Sequence, residues 1–222
     1  MFPPGLWQPG SKEPLTSERL LIVEGKHAWR FFKALLQHLG LLDKVEIRNY
    51  GGVNELAQYL KTLSAISGFR DVHSLGIVRD AEANSVDSFR AVCGALEQAR
   101  HAMPRLALRE RLAVPTSPMT RTPGDLGVAV FILPDCEKPG MLETICLASV
   151  KDDPATPCLQ DYFACLSRCG LPPTGNMTKA RLQAFLSSRE KPDLLLGEAA
   201  EKGYFPWDSQ VFTPLKNFLS SI

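Results

Sequence analysis

The chain has 222 residues, 45% of them hydrophobic and 22% charged, with a net charge of +1. Such values describe a globular protein with one sizeable core and exclude a disordered or fibrous chain. The near balance of charge also excludes a strong global field toward nucleic acid or membrane, so any polyanion site has to be a local patch.

The first 16 residues hold four prolines and read as a loose Pro-rich arm, or as an extended strap packed through Phe2, Leu6 and Trp7. They show no basic region followed by an apolar segment, as a secretory signal would. No apolar run approaches the ~20 residues that span a bilayer, so the expected location is the cytoplasm and no membrane partner is expected. Residues 19–24 form a short apolar strand ending on Glu24. Residues 27–40 carry Trp29, Phe32, Leu35, Leu36 and Leu39 at helical spacing, with Gly40 as the stop. Residues 44–52 alternate like a strand and break at Gly51–Gly52. A helical pattern follows from Asn54 to Ile66. Residues 73–82 form a third strand, again ending in acids, and 85–102 a third helix. Residues 126–135 are the most apolar strand, followed by a short helix over 140–150.

Strands alternating with helices predict an α/β fold, a mainly parallel sheet covered on both faces, occupying residues 17–150. In such sheets ligands bind beyond the carboxyl ends of the strands. After Val150 the alternation stops. Residues 151–157 read as a linker, and helical stretches near 158–169, 178–189 and 208–220 predict a helical C-terminal extension over 151–222 packed on the core, its aromatics Tyr204, Phe205, Trp207 and Phe212 reading as core packing or as an interface. The six cysteines form no CxxC pair. They read as small buried hydrophobes in a reducing compartment rather than as metal ligands.

The strand ends deliver Glu24, Asp80, Glu82 and Asp135, and the last helix of the alternation brings Glu143. Carboxylates gathered at one edge repel, and burying them unpaired costs several kcal/mol. A divalent cation resolves both problems. Magnesium accepts one or two carboxylates, keeps waters and bridges to phosphate oxygens. Gly25 lets the chain turn and lets a phosphate approach the backbone. Lys26 reads as a phosphate contact or a solvated loop residue, and His27 as a proton shuttle or an idle helix-start residue. Asp135 and Glu137 read as turn residues. The span 100–121 holds Arg100, Arg105, Arg109, Arg111 and Arg121 against the single acid Glu110. It is either a strip that tracks a nucleic-acid backbone, with Arg109 and Arg111 at its centre, or a solvated face.

The runs "LLIVEGK", "NYGGVNEL" and "LGIVRDAE" together resemble a Toprim domain, with its glutamate-glycine motif after the first strand and its DxD motif after the third. "FILPDCEKPGMLETICL" and "GYFPWDSQVFTPLKNFLSSI" resemble small standalone Toprim proteins grouped near the OLD (overcoming lysogenisation defect) nucleases. That resemblance implies a Rossmann-like sheet and a Mg2+- or Mn2+-dependent nuclease acting on DNA or RNA, in bacterial defence or a toxin-like role. It implies Glu24 as acid/base or metal ligand, Asp80 as primary metal ligand, Glu82 at the second DxD position and Glu143 as a further metal ligand. Ala28 and Asn84 depart from the pattern, because related sequences carry acids there. They motivate an alternative, a non-catalytic module binding nucleic acid or a protein partner. A homo-oligomer is compatible with either reading. A dinucleotide-binding protein is disfavoured, since no GxGxxG follows any strand.

Overall fold

The computed structural model describes residues 12–52, 54–102, 106–171 and 175–222. Four strands form one all-parallel sheet: β1 (Arg19–Val23), β2 (Glu46–Asn49), β3 (Ser74–Asp80) and β4 (Gly127–Leu133). Their spatial order is β2-β1-β3-β4. The chain moves outward one way from β1 to β2, then crosses back to add β3 and β4 on the other side. The reversal point lies between β1 and β3, where an open α/β sheet leaves a crevice at its carboxyl edge.

Nine helices flank the sheet among the described residues. They are α1 (Gly25–His38), α2 (Leu56–Leu63), α3 (Ser85–Ala102), α4 (Leu106–Arg111), α5 (Leu142–Ser149), α6 (Ala155–Arg168), α7 (Met177–Ser187), α8 (Leu196–Glu201) and α9 (Thr213–Ser221). None is long and apolar enough to cross a membrane.

Strand alternation sorts the apolar residues into two cores. Leu20, Ile22, Leu75 and Ile77 face α2 and α3. Leu21, Val23, Val78 and Phe131 face the other way, into a core shared with Phe31 and Phe32 of α1, Ile145 of α5, and Phe185, Phe205, Phe212, Leu215 and Phe218 from beyond residue 150. The C-terminal extension thus covers one face of the sheet together with α1 and α5. Phe205 and Phe212 are fully buried there, and Trp207 stacks edge-on against Phe31 at 5.2 Å.

Two helices escape the sequence pattern. The short α4 lies inside the basic span, where the sequence pattern shows no helical period. In α8, "LGEAAE" is too short to show a helical period and contains a glycine. That glycine has a packing reason. A Cβ on Gly197 would stand 2.8 Å from the His27 carbonyl oxygen and 2.7 Å from Arg30 Cβ, so only glycine lets α8 lie this close to α1. Ion pairs from Arg30 to Glu198 and Glu201 close the same contact.

Residues 1–11 of the expected arm lie outside the described residues. Residues 12–16 are fastened: Leu15 is buried and its N–H donates to the Ser67 carbonyl at 2.8 Å. Arg48, 1% exposed on β2, donates through Nη2 to the Glu13 and Pro14 carbonyls and pairs with Glu46. Glu46 in turn accepts from the Thr16 N–H at 2.8 Å.

Candidate active site

β1 ends at Val23, and the next residue, Glu24, is still extended with φ −87° and ψ 115°. Gly25 then takes φ +78°, a left-handed conformation that costs an L side chain, and α1 begins at once. Asn49, buried at the end of β2, holds this turn: its Oδ1 accepts from the Gly25 N–H at 2.9 Å and the Gly51 N–H at 2.8 Å. β3 pairs with β1 through Leu21–Gly76 and Ile22–Ile77. Continued two residues further, that register sets Val23 beside Val78 and Glu24 beside Arg79.

A cavity of about 220 Å³ opens here, lined among others by Glu24, Lys26, His27, Arg79, Asp80, Glu143 and Lys179. The structure therefore brings together Glu24, Asp80 and Glu143, with Gly25, Lys26 and His27 beside them. Asp80 Oδ1 accepts the Leu142 N–H at the start of α5 at 2.9 Å, which leaves Oδ2 for the cavity. Burial, then the neighbouring Glu143 carboxylate, pushes the Asp80 carboxyl up to about 7, with Glu24 and Glu82 adding to the rise. The Glu24 carboxyl is also raised, chiefly by burial. Arg79, a hydrogen bond from Tyr50 and the more distant Lys179 oppose that rise. The Tyr50 hydroxyl lies 3.4 Å from Glu24 Oε2 and 3.3 Å from the Val78 carbonyl. Burial lowers the His27 imidazole below its usual range, with Lys26 reinforcing the effect.

Glu82 sits differently from Asp80. Its backbone is left-handed, φ 53°, and exchanges hydrogen bonds with Gly140 in both directions at 2.8 and 2.9 Å. The side chain is exposed and does not line the cavity, although its charge reaches Asp80 and Glu24. Asn84 caps α3, its Oδ1 accepting the Val86 and Asp87 N–H groups. This neutral residue thus has a local structural task. Asp135 is a turn residue, bonded to the Glu137 and Lys138 N–H groups and paired with the Lys138 ammonium.

None of the described residues of the basic span lines the cavity. Arg111 donates to the Phe69 and Val72 carbonyls, at the amino end of β3, and lies over the Phe69 ring. Seven residues of β3 separate that point from Asp80, about 20 Å along an extended strand. The Arg109 carbonyl accepts from Arg100 Nε, and Arg105 lies outside the described residues.

Two cavity residues, Arg79 and Lys179, and the buried Tyr50 that bonds Glu24, have no role assigned from the sequence. Lys179 comes from the first turn of α7 and stands 3.8 Å from Glu143 Oε1. Only tertiary structure brings residue 179 to residues 24, 80 and 143.

Among the described residues, no three His, Cys, Asp or Glu side chains form a ready-made metal cage. The donor set nonetheless suits a hard divalent cation that keeps most of its waters. Its carboxylate donors are all oxygen, and Asp80 Oδ2 is free of any protein hydrogen bond among the described residues. Asp80 would hold such an ion, with Glu24 and Glu143 as the other carboxylates lining the cavity.

No curated protein and no solved structure gives a significant match to the chain. The family model described as Protein of unknown function (DUF3226) matches residues 18–222, and the chain belongs to that family.

Proposed function

We propose that the chain is a Toprim-type nuclease akin to the OLD group, hydrolysing phosphodiester bonds of DNA or RNA with Mg2+ or Mn2+. One observation carries this reading. Glu24 and Asp80, 56 residues apart in "VEG" and "RDAE", converge from neighbouring strands on the switch-point cavity, and Glu143 joins them from α5. Three carboxylates in one small cavity repel one another; Lys26, Arg79 and Lys179 line it too, and a cation held at Asp80 would add to that neutralisation.

When bound, the cation supplies Lewis-acid stabilisation of charge developing on a phosphoryl oxygen. Asp80 is oriented for that role by the Leu142 N–H. Glu24, raised by burial and steadied by the Tyr50 hydroxyl, takes a proton from water or returns one to the leaving oxygen. The N-termini of α1 and α5 open on the same cavity and contribute partial positive charge. Leu133, Leu142 and Leu196 wall it and limit the water within.

A second reading, a non-catalytic module that binds nucleic acid or a protein, is favoured by Lys179. Its ammonium lies 3.8 Å from Glu143 and partly neutralises the acids without any metal. Calorimetric titration with manganese, beside cleavage assays on supercoiled, linear, single-stranded and RNA substrates, separates the two. The nuclease reading expects manganese binding and cleavage by the wild type, both lost in Asp80→Ala. Wild-type cleavage by that variant, or no manganese binding at millimolar concentration, ends it.

A further inference from the structure

Arg79 stands one residue before Asp80 on β3, lines the same cavity, and is half-buried. Its Nε is shut off from solvent and has no hydrogen-bond partner among the described residues. Arg19, Arg48 and Arg111 also keep one orphaned nitrogen, but each bonds backbone carbonyls through its other nitrogens. Among the described residues no hydrogen bond or ion pair engages the Arg79 guanidinium. A guanidinium carries five donors and no acceptor. The enclosed Nε is out of a ligand's reach, but the two Nη groups are not shut off and have no protein acceptor among the described residues, so acceptors for them have to come from water or a ligand. The neighbouring Glu24 feels its charge but does not bond it.

We infer that Arg79 is an anion receptor of this cavity, engaging two oxygens of a phosphate group while the carboxylates face the other side of that group. A planar fork matches a tetrahedral oxyanion better than an ammonium does. The inference deepens the nuclease reading and rests on it for the source of the phosphate, a nucleic-acid backbone.

The experiment uses the full chain. Inorganic phosphate is titrated without metal while the Arg79 Nε–H resonance is followed by NMR, and dissociation constants are measured for wild type, Arg79→Lys and Arg79→Met. The wild-type resonance is expected to shift saturably. Arg79→Met should weaken binding at least ~tenfold and Arg79→Lys by less, since Lys keeps the charge but loses the fork. No shift in wild type, or equal binding by wild type and Arg79→Met, overturns the inference. It does so whether or not cleavage is found, because this arm needs neither metal nor turnover.

A second arm identifies the source. A short single-stranded oligonucleotide without terminal phosphates and a nucleoside monophosphate each compete with inorganic phosphate. Displacement by the oligonucleotide, with the salt dependence of its binding reduced by about one phosphate contact in Arg79→Met, supports a backbone phosphodiester. Displacement by the monophosphate alone keeps the receptor and overturns the backbone as its ligand.

Discussion

Replacing Asp80 with Asn should make the metal-free protein more stable, and more so as pH rises. Asn keeps the oxygen that accepts the Leu142 N–H and removes the charge that Glu143, Glu24 and Glu82 oppose. In the folded protein the Asp80 carboxyl holds its proton up to about 7, against 3.8 ordinarily. Between those values the folded state binds more protons than the unfolded one, so stability falls as pH rises through that window. Above it the full difference is about 4 kcal/mol, or about 2–4 kcal/mol once partial exposure of the carboxylate is allowed for. Urea unfolding of both proteins at pH 5 and pH 8 measures it. The midpoints should lie closer together at pH 5, with the Asn variant well ahead at pH 8. Added Mg2+ should narrow the gap by stabilising only the wild type. The reasoning fails if wild type and variant lose stability in parallel between pH 5 and 8, or if the variant is the less stable at pH 8.

Gly197→Ala should push α8 off α1 and cost about 1–3 kcal/mol, read as a lower urea midpoint; an unchanged midpoint would show that α1 yields freely. Arg48→Met should cost about 3–5 kcal/mol by leaving Glu46 unpaired and should open the chain to limited proteolysis near residue 13, with Glu46→Gln in the same chain recovering much of the loss. Lys179→Met should tighten manganese binding by up to about fivefold, since it removes an exposed ammonium worth at most about 1 kcal/mol from beside Glu143; weaker binding would mean that Lys179 orders the acid rather than competing for it. Glu143→Gln should weaken manganese binding, whereas Glu82→Gln, whose side chain does not line the cavity, should change it little; calorimetry on both compares them directly.

The parallel sheet was legible because three strands are short apolar runs closed by acids, the second alternates up to Gly51–Gly52, and each early helix shows its own period. The site acids were legible for the same reason: Glu24 and Asp80 are charged residues at the ends of buried strands, where a side chain needs a purpose. Local pattern could not separate Glu82 from Asp80. Two residues apart on a regular strand, both would face one side. The left-handed backbone at Glu82 and its bridge to Gly140 break that parity, and a bond between residues 82 and 140 leaves no local trace. Arg79 was hidden by its own motif, as the unremarked residue between an apolar run and an aspartate.

The basic span shows the opposite failure, a composition signal without the implied geometry. Arg111 is spent on backbone carbonyls at the amino end of β3, and charge counting cannot tell a guanidinium that ties a loop from one that faces a ligand. The cations that do line the cavity come one from each of three places: Lys26 at the start of α1, Arg79 on β3 and Lys179 on α7. Only the first had a role suggested by the sequence. Lys179 and Leu196 also show that the segment after Val150 does more than cover the sheet. It supplies a charge and a wall to the cavity, so the strand–helix half of the chain has an incomplete site without it. Removing residues 151–222 should therefore expose the apolar face and remove part of the cavity together, a coupling that the placement of α7 and α8 against α5 and α1 makes unavoidable.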